Sequence, residues 1–125
     1  VFHRAFDCCA DPFQTAERLA ELGIDRILTS GLKPKAEEGI ELLRKLHSQY
    51  SGTIEFLAGS GVNSSNAKWI LEQTGLNQIH SSCKDWIEDV TTIQNGVSYS
   101  MVSGEHSRSY DAVSAELVRK LVESV

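Results

Sequence analysis

The chain has 125 residues, 41% hydrophobic and 23% charged, which is the composition of one soluble globular domain. Its 12 Lys and Arg against 17 Asp and Glu give a net charge of −5, and the basic residues are dispersed, so we expect no nucleic-acid partner. The apolar runs are shorter than the ~18 residues of a membrane-spanning helix, so we expect no membrane partner. We therefore treat residues 1–125 as a single domain.

Strand-like and helix-like segments alternate along the chain. Residues 1–6 are predicted to form a strand, and a helix is predicted over 11–23. Asp11 is placed to cap this helix, Pro12 fits its first position, and Gly23 follows its end. The remaining strands are predicted over 24–31, 53–61 and 76–82, and the remaining helices over 34–49, 63–75 and 110–125.

Several residues of the later segments have predicted roles in packing. Ser64 or Ser65 is expected to cap the third helix, which would bury Trp69 and end at Gly75. In the last helix, Val113 belongs to the apolar side.

A long polar segment lies between the last strand and the last helix. This segment, 84–109, is longer than ordinary connections, and we expect a lid or a dimer contact there, with Trp86 as a packing residue.

The four predicted strands end near Phe6, Thr29, Ala58 and His80. Short, regular strand–helix units are typical of parallel strands joined by right-handed helical crossovers. Two architectures fit: an open doubly wound sheet, and half of a (β/α)₈ barrel. In the barrel, Val1 would lie inside the fifth strand. The chain would then be a fragment, the C-terminal four βα units of an α/β fold of the TIM-barrel type.

The cysteines indicate a reducing compartment. Cys8, Cys9 and Cys83 form an odd set without C-x-x-C spacing, which argues against a disulfide framework and against a zinc knuckle. We expect a cytoplasmic protein.

Four sequence stretches at the predicted strand ends carry a family resemblance. They are FHRAFD at 2–7, LTSG at 28–31, AGSGV at 58–62 and HSS at 80–82. With them the chain resembles the copper homeostasis protein CutC family over almost its whole length, through the tail SYDAVSAELVRKLVE. The resemblance implies a (β/α)₈ barrel that is often a homodimer, with this chain as its C-terminal half. It also implies copper handling, with Cu(I) as the bound ion and its usual thiol ligands in the other half.

In such barrels, the carboxyl ends of the strands form the active face. The candidates for catalysis there are His3, Arg4, Asp7 and His80. The candidates for binding an anion or another ligand are Ser30, Gly31, Gly59, Ser60, Gly61, Ser81 and Ser82.

The first strand end offers acid–base chemistry. Period-two alternation places His3 and Asp7 on one face, where the carboxylate could orient the imidazole as a general base. The alternative is a satisfied polar network that fills the barrel interior. Arg4 needs a carboxylate or an anion, and Asp7, Asp11 or a bound ligand could supply it.

The third strand end offers an anion site. Gly59 and Gly61 allow close backbone approach, and the helix predicted to begin near 63–65 directs N–H groups toward them. This suits a phosphate or a carboxylate. Ser64 interrupts the G-x-G-x-x-G pattern, so we expect no nucleotide cofactor. The alternative is a tight turn followed by a capped helix.

His80 and Cys83 are the candidates for a metal in this chain. Cu(I) prefers thiolate and imidazole ligands, but joint ligation requires the strand to end by Ser82. The alternative for each cysteine is a small buried apolar side chain.

Two functions are expected. The first is implied by the family resemblance: copper homeostasis, with copper bound mostly outside this chain. The second is an enzyme that acts on a phosphorylated or carboxylated small molecule by His/Asp acid–base chemistry.

Overall fold

The computed structural model describes residues 1–91 and 93–125, and it divides the chain into two units. The first unit contains residues 1–81 and 121–125, and the second contains 82–120. None of the helices in the described part of the chain has the length and apolar character needed to cross a bilayer.

A parallel three-stranded sheet forms the centre of the first unit. Its strands are β1 (Arg26–Thr29), β2 (Glu55–Gly59) and β3 (Ile79–His80), in the order β1-β2-β3. Thr29 pairs with Ala58, and Gly59 pairs with His80. The three predicted strands and their parallel direction are therefore confirmed.

The predicted first strand, 1–6, is wrong beyond Phe2. Phe2 forms a single parallel bridge with Ile27: its N–H donates to the Arg26 carbonyl at 2.7 Å, and its own carbonyl accepts from the Leu28 N–H at 2.8 Å. The chain then turns into a 3₁₀ helix over Arg4–Cys8. His3 starts this turn because its Nδ1 accepts from the Ala5 N–H and its carbonyl accepts from the Phe6 N–H.

Three helices accompany the sheet: α1 (Pro12–Glu21), α2 (Ile40–Tyr50) and α3 (Ala67–Thr74). Asp11 caps α1 as predicted, because its Oδ1 accepts from the N–H groups of Phe13 at 2.9 Å and Gln14 at 3.0 Å.

Two helix boundaries differ from the predictions, and a third agrees. The helix predicted over 34–49 is divided at Gly39 into a 3₁₀ helix, Ala36–Glu38, and α2. Asn66, rather than Ser64 or Ser65, precedes α3. Gly75 ends α3 as predicted, in the left-handed conformation with φ of 77°.

The core of the first unit combines one face of the sheet with the apolar sides of the helices. Its large members include Phe6, Ile27, Leu43, Phe56 and Ile70, each of which is at most 1% exposed. The prediction that α3 buries Trp69 is wrong, since this side chain is 46% exposed. The reason is helical geometry: successive residues are about 100° apart, so the residue before Ile70 lies off the core face.

The second unit contains two antiparallel ribbons. β4 (Lys84–Glu88) pairs with β7 (Ser109–Val113), and β5 (Ile93–Gln94) pairs with β6 (Val97–Ser98). The described part of the predicted connection 84–109 therefore contains three short strands and the start of a fourth, β7. Asn95 and Gly96 form the turn between β5 and β6 with φ of 51° and 77°, values suited to a two-residue hairpin turn.

The last predicted helix, 110–125, is shorter than expected. The observed helix α4 covers Ala115–Glu123, and residues 110–113 belong to β7, so Val113 is an exposed strand residue. Trp86 is a packing residue as predicted, but it lies in a strand, β4, rather than in a loop. Its ring stacks on His106 with centroids 4.1 Å apart.

Candidate functional site

Three turns meet at the carboxyl edge of the parallel sheet, which we call the rim. They follow β1, β2 and β3, whose paired ends lie side by side. The Ser60 hydroxyl donates to the Pro34 carbonyl at 2.7 Å, and the Ala36 N–H donates to the Ser60 carbonyl at 3.0 Å. The Ser81 hydroxyl donates to the Val62 carbonyl at 2.6 Å. The rim is therefore one connected structure within the first unit.

The carboxylate of Asp7 organises the first of these turns. Its Oδ1 accepts from the Thr29 hydroxyl at 2.5 Å, the Ser30 N–H at 3.1 Å and the Leu32 N–H at 3.2 Å. Its Oδ2 accepts from Arg4 Nε at 2.7 Å. The Asp7 side chain is 8% exposed. It thus has several donors around a nearly buried charge.

These donors determine the charge state of Asp7. Burial alone would raise the pKa of the carboxyl group. Hydrogen bonds from Thr29, Arg4 and the backbone of Ser30 and Leu32 act in the opposite direction and hold the pKa of Asp7 below its ordinary value. Asp7 is therefore a stable carboxylate at neutral pH and a poor proton acceptor.

The turn around Asp7 resembles an anion-binding loop, and the anion that it binds is the Asp7 carboxylate itself. Gly31 and Leu32 both have left-handed backbones, with φ of 71° and 60°. Successive N–H groups in such turns converge on an anion. Ser30 and Gly31 were predicted to serve an external ligand. In the structure, Ser30 donates to Asp7, and the Gly31 N–H donates to Thr29 Oγ1 at 2.9 Å.

Arg4 joins the same network. Besides its contact with Asp7, its Nη2 donates to the Ser30 hydroxyl at 2.8 Å and to the Lys33 carbonyl at 3.3 Å. Of the three partners considered for Arg4, the structure selects Asp7. The Arg4 side chain is 39% exposed, so it is partly accessible to solvent although its Nε and Nη2 groups are hydrogen-bonded.

The prediction that His3 and Asp7 share a strand face is wrong, because both belong to the 3₁₀ turn and its cap. His3 is exposed, and its ring stacks on Phe2 with centroids 5.5 Å apart. Since Nδ1 accepts from the Ala5 N–H, neutral His3 carries its proton on Nε2. In this arrangement His3 is a hydrogen-bond donor toward solvent.

A close backbone contact, which the sequence analysis missed, fixes the position of the first turn. A methyl group on Gly39 would lie 2.0 Å from the Ser30 carbonyl oxygen, and one on Gly31 would lie 2.5 Å from the Gly39 oxygen. Both positions therefore require glycine. The turn after β1 is locked against the residue that precedes α2.

The turn after β2 is also strained. Ser60 and Gly61 have φ of 86° and 71°, both left-handed. A methyl group on Gly61 would lie 3.2 Å from Lys35 Cγ, so a lysine stem covers this turn. Asn66 Nδ2 donates to the Gly61 carbonyl at 3.0 Å. The predicted anion-binding residues of this turn thus lie against the aliphatic part of a lysine side chain.

The remaining predicted residues fall in both units. His80 is exposed at the end of β3, in the first unit with Ser81. Ser82 and the buried Cys83 belong to the second unit. Among the residues that the structure describes, no three His, Cys, Asp or Glu side chains are grouped to hold a metal ion. A His80–Cys83 site stays a prediction.

Comparison with known proteins identifies relatives of the chain. A family model described as the CutC family matches residues 1–85. The family protein CutC of Bacteroides thetaiotaomicron is 44% identical over 111 residues, which are 89% of this chain and 44% of the relative. The family protein CutC of Bacteroides fragilis is 38% identical, over 100% of this chain and 50% of the relative.

A solved structure supports the same assignment. It is that of CutC from Streptococcus agalactiae, a protein named for copper homeostasis, with 32% identity and a TM-score of 0.60. The match covers 63% of this chain and 40% of that one. The chain thus has an α/β fold related to a TIM-barrel-like protein, and it spans about half the length of the curated relatives it matches. From the matched family model and these relatives, the chain belongs to the CutC family.

Proposed function

We propose that this chain is the C-terminal four βα units of a CutC-type barrel and that the whole protein acts in copper homeostasis. The family match over residues 1–85 carries the proposal. The function comes from the Streptococcus agalactiae neighbour, which is named for copper homeostasis. A cytoplasmic location and a homodimeric state belong to the same proposal, and three free cysteines are in keeping with a reducing compartment.

The parallel sheet supports the half-barrel part of the proposal. Arg26 on β1 pairs with Glu55 on β2, and Gln78 immediately precedes β3. Glu55 Oε2 accepts from Arg26 Nη2 and Gln78 Nε2, each at 2.8 Å. Side chains alternate between the two faces of a strand, so Arg26 and Glu55 lie on the face opposite to the one from which Ile27 and Phe56 enter the core. Parallel sheets are normally covered on both faces. In a closed barrel, this second face would line the interior.

Copper would be the cargo of the whole protein. Cu(I) favours thiolate and imidazole ligands, and this chain offers an exposed Cys8, a partly buried Cys9, a buried Cys83 and an exposed His80. The Arg4–Asp7 network has no soft donor, so we assign it the task of fixing the rim. We place most of the copper ligands in the other half of the barrel.

One observation favours a second candidate function. Arg4 is held by Asp7 while its side chain is still 39% exposed. The strained Ser60–Gly61 turn lies on the same rim, against the aliphatic part of Lys35. A fixed guanidinium and a glycine turn suit an anionic small molecule. In this alternative, His80 moves a proton on a phosphorylated or carboxylated substrate at the rim.

A titration of the full-length protein with Cu(I), in competition with a coloured Cu(I) chelator, separates the two functions. We expect stoichiometric binding that His3→Ala leaves unchanged and that combined Cys→Ser substitutions weaken at least about tenfold. His47→Ala, on α2, is the matched control. Absence of Cu(I) binding would overturn the copper proposal. Binding of inorganic phosphate in its place would support the second candidate.

A further inference from the structure

A cavity of about 390 Å³ lies between the start of α1, the turn after β1 and the first half of α2. We call it the α1–α2 cavity. Its volume is within the range of small-molecule sites. Phe13, Leu32 and Leu42 line it with partly buried apolar side chains. The cavity is thus large enough for a small ligand, and part of its wall is apolar.

The walls of the α1–α2 cavity are held in place by residues outside it and by one backbone contact between lining residues. The Leu32 N–H donates to Asp7, and the Lys33 carbonyl accepts from Arg4. The backbone contact between Gly31 and Gly39 fixes the start of α2. On the α1 side, the Tyr50 hydroxyl donates to the Phe13 carbonyl at 2.8 Å. A cavity framed in this way is preformed, which lowers the entropic cost of binding.

Leu32 is an unusual residue for its position. Its φ of 60° is left-handed, a conformation in which a bulky side chain is costly and for which glycine is the ordinary choice. Strained residues of this kind concentrate at ligand sites. The leucine side chain contributes to the apolar wall, which glycine would not.

Two charges on the cavity lining have no ion-pair partner among the described residues. Lys45 and Glu41 also line the cavity, but they pair with each other at 2.7 Å. Lys33 and Glu38 form no such pair in the described part of the chain, and both are exposed. The lining therefore offers one available cation and one available anion next to an apolar surface.

We propose that the α1–α2 cavity binds a free α-amino acid with an apolar side chain. Lys33 pairs with the α-carboxylate, Glu38 pairs with the α-ammonium group, and the apolar side chain lies against Phe13, Leu32 and Leu42. A zwitterion satisfies both unpaired charges at once, whereas a simple anion or cation satisfies one. The site is formed by α1, the turn after β1, the 3₁₀ helix Ala36–Glu38 and α2, so it does not depend on the proposed function.

Calorimetric titration of the full-length protein with L-leucine and L-phenylalanine tests this proposal. We expect binding of both, and about tenfold weaker binding of 4-methylpentanoate and 3-methylbutylamine, which each lack one charge of leucine. Lys33→Met and Glu38→Gln should each weaken L-leucine binding by a similar factor. Lys68→Met and Glu72→Gln change exposed residues of α3 and are matched controls that should bind like the parent.

Three results would overturn the proposal. The first is no heat of binding with either amino acid up to about 10 mM, a concentration beyond the range of a useful site. The second is equal binding of leucine and its singly charged analogues. The third is a loss of affinity in only one of the Lys33 and Glu38 variants, or in neither.

Discussion

Gly39→Ala is expected to destabilise the protein by about 3 kcal/mol or more. The added methyl group would lie 2.0 Å from the Ser30 carbonyl oxygen and 2.9 Å from Gly31 Cα, both backbone atoms that cannot move aside alone. The φ of Gly39 is −100°, which alanine adopts readily, so the clash is the whole cause. The urea midpoint of the variant measures the loss.

Gly52→Ala is the matched control for this prediction. Gly52 has φ of 91°, and a methyl group there would meet nothing within 4 Å, so only backbone strain of about 1 kcal/mol is expected. A Gly39→Ala variant as stable as Gly52→Ala would show that the turn after β1 does not press against the start of α2.

Asp7→Asn is expected to cost about 3 kcal/mol at pH 7. Asparagine has nearly the same shape, but its neutral amide cannot balance Arg4, and its NH₂ group would face donors where the carboxylate had accepted. Water can hydrate the exposed part of Arg4. The expected loss of stability is therefore at the lower end of the range for removing one partner of a buried ion pair. Urea denaturation of the variant and the parent at pH 7 measures the difference.

The same variant predicts a change in pH dependence. Because the pKa of folded Asp7 lies below its unfolded value of 3.8, this carboxylate stabilises the protein above that pH. The contribution decreases as the pH falls below 3.8 through the folded pKa. The stability difference between the parent and Asp7→Asn should therefore shrink in acid. Asp25→Asn, at an exposed residue, is the control, and a constant difference down to pH 3 would contradict this account.

Much of the first unit could be predicted because its signals are local. Asp11 and Pro12 mark the start of α1, and Gly75 marks the end of α3, through cap chemistry that depends on a few neighbouring residues. Residues 1–6 were predicted as a strand since their apolar character fits one. The turn at Arg4–Cys8 depends instead on Asp7 reaching Thr29 and Ser30, which are 22 and 23 residues away.

The sequence predicted which residues lie at the rim better than it predicted the hydrogen bonds between them. Residues at the strand ends do meet at the rim, as parallel topology requires. The pairing of Asp7 with Arg4 and Ser30, rather than with His3, could not be read from alternation. No sequence pattern around Gly39 indicates its close contact with Ser30 and Gly31.

One local signal in the second unit was present and was missed. Asn95–Gly96 between short β-prone segments is a strong hairpin signal, and it would have replaced the predicted connection with strands.

The half-barrel assignment is tested most directly by light scattering on the 125-residue chain alone, after size-exclusion chromatography. If four further units complete the barrel in the whole protein, the isolated sheet would keep an uncovered face and open strand edges, which promote association with other chains. The account predicts dimers, larger aggregates or insoluble material. A monodisperse monomer that melts cooperatively would contradict it.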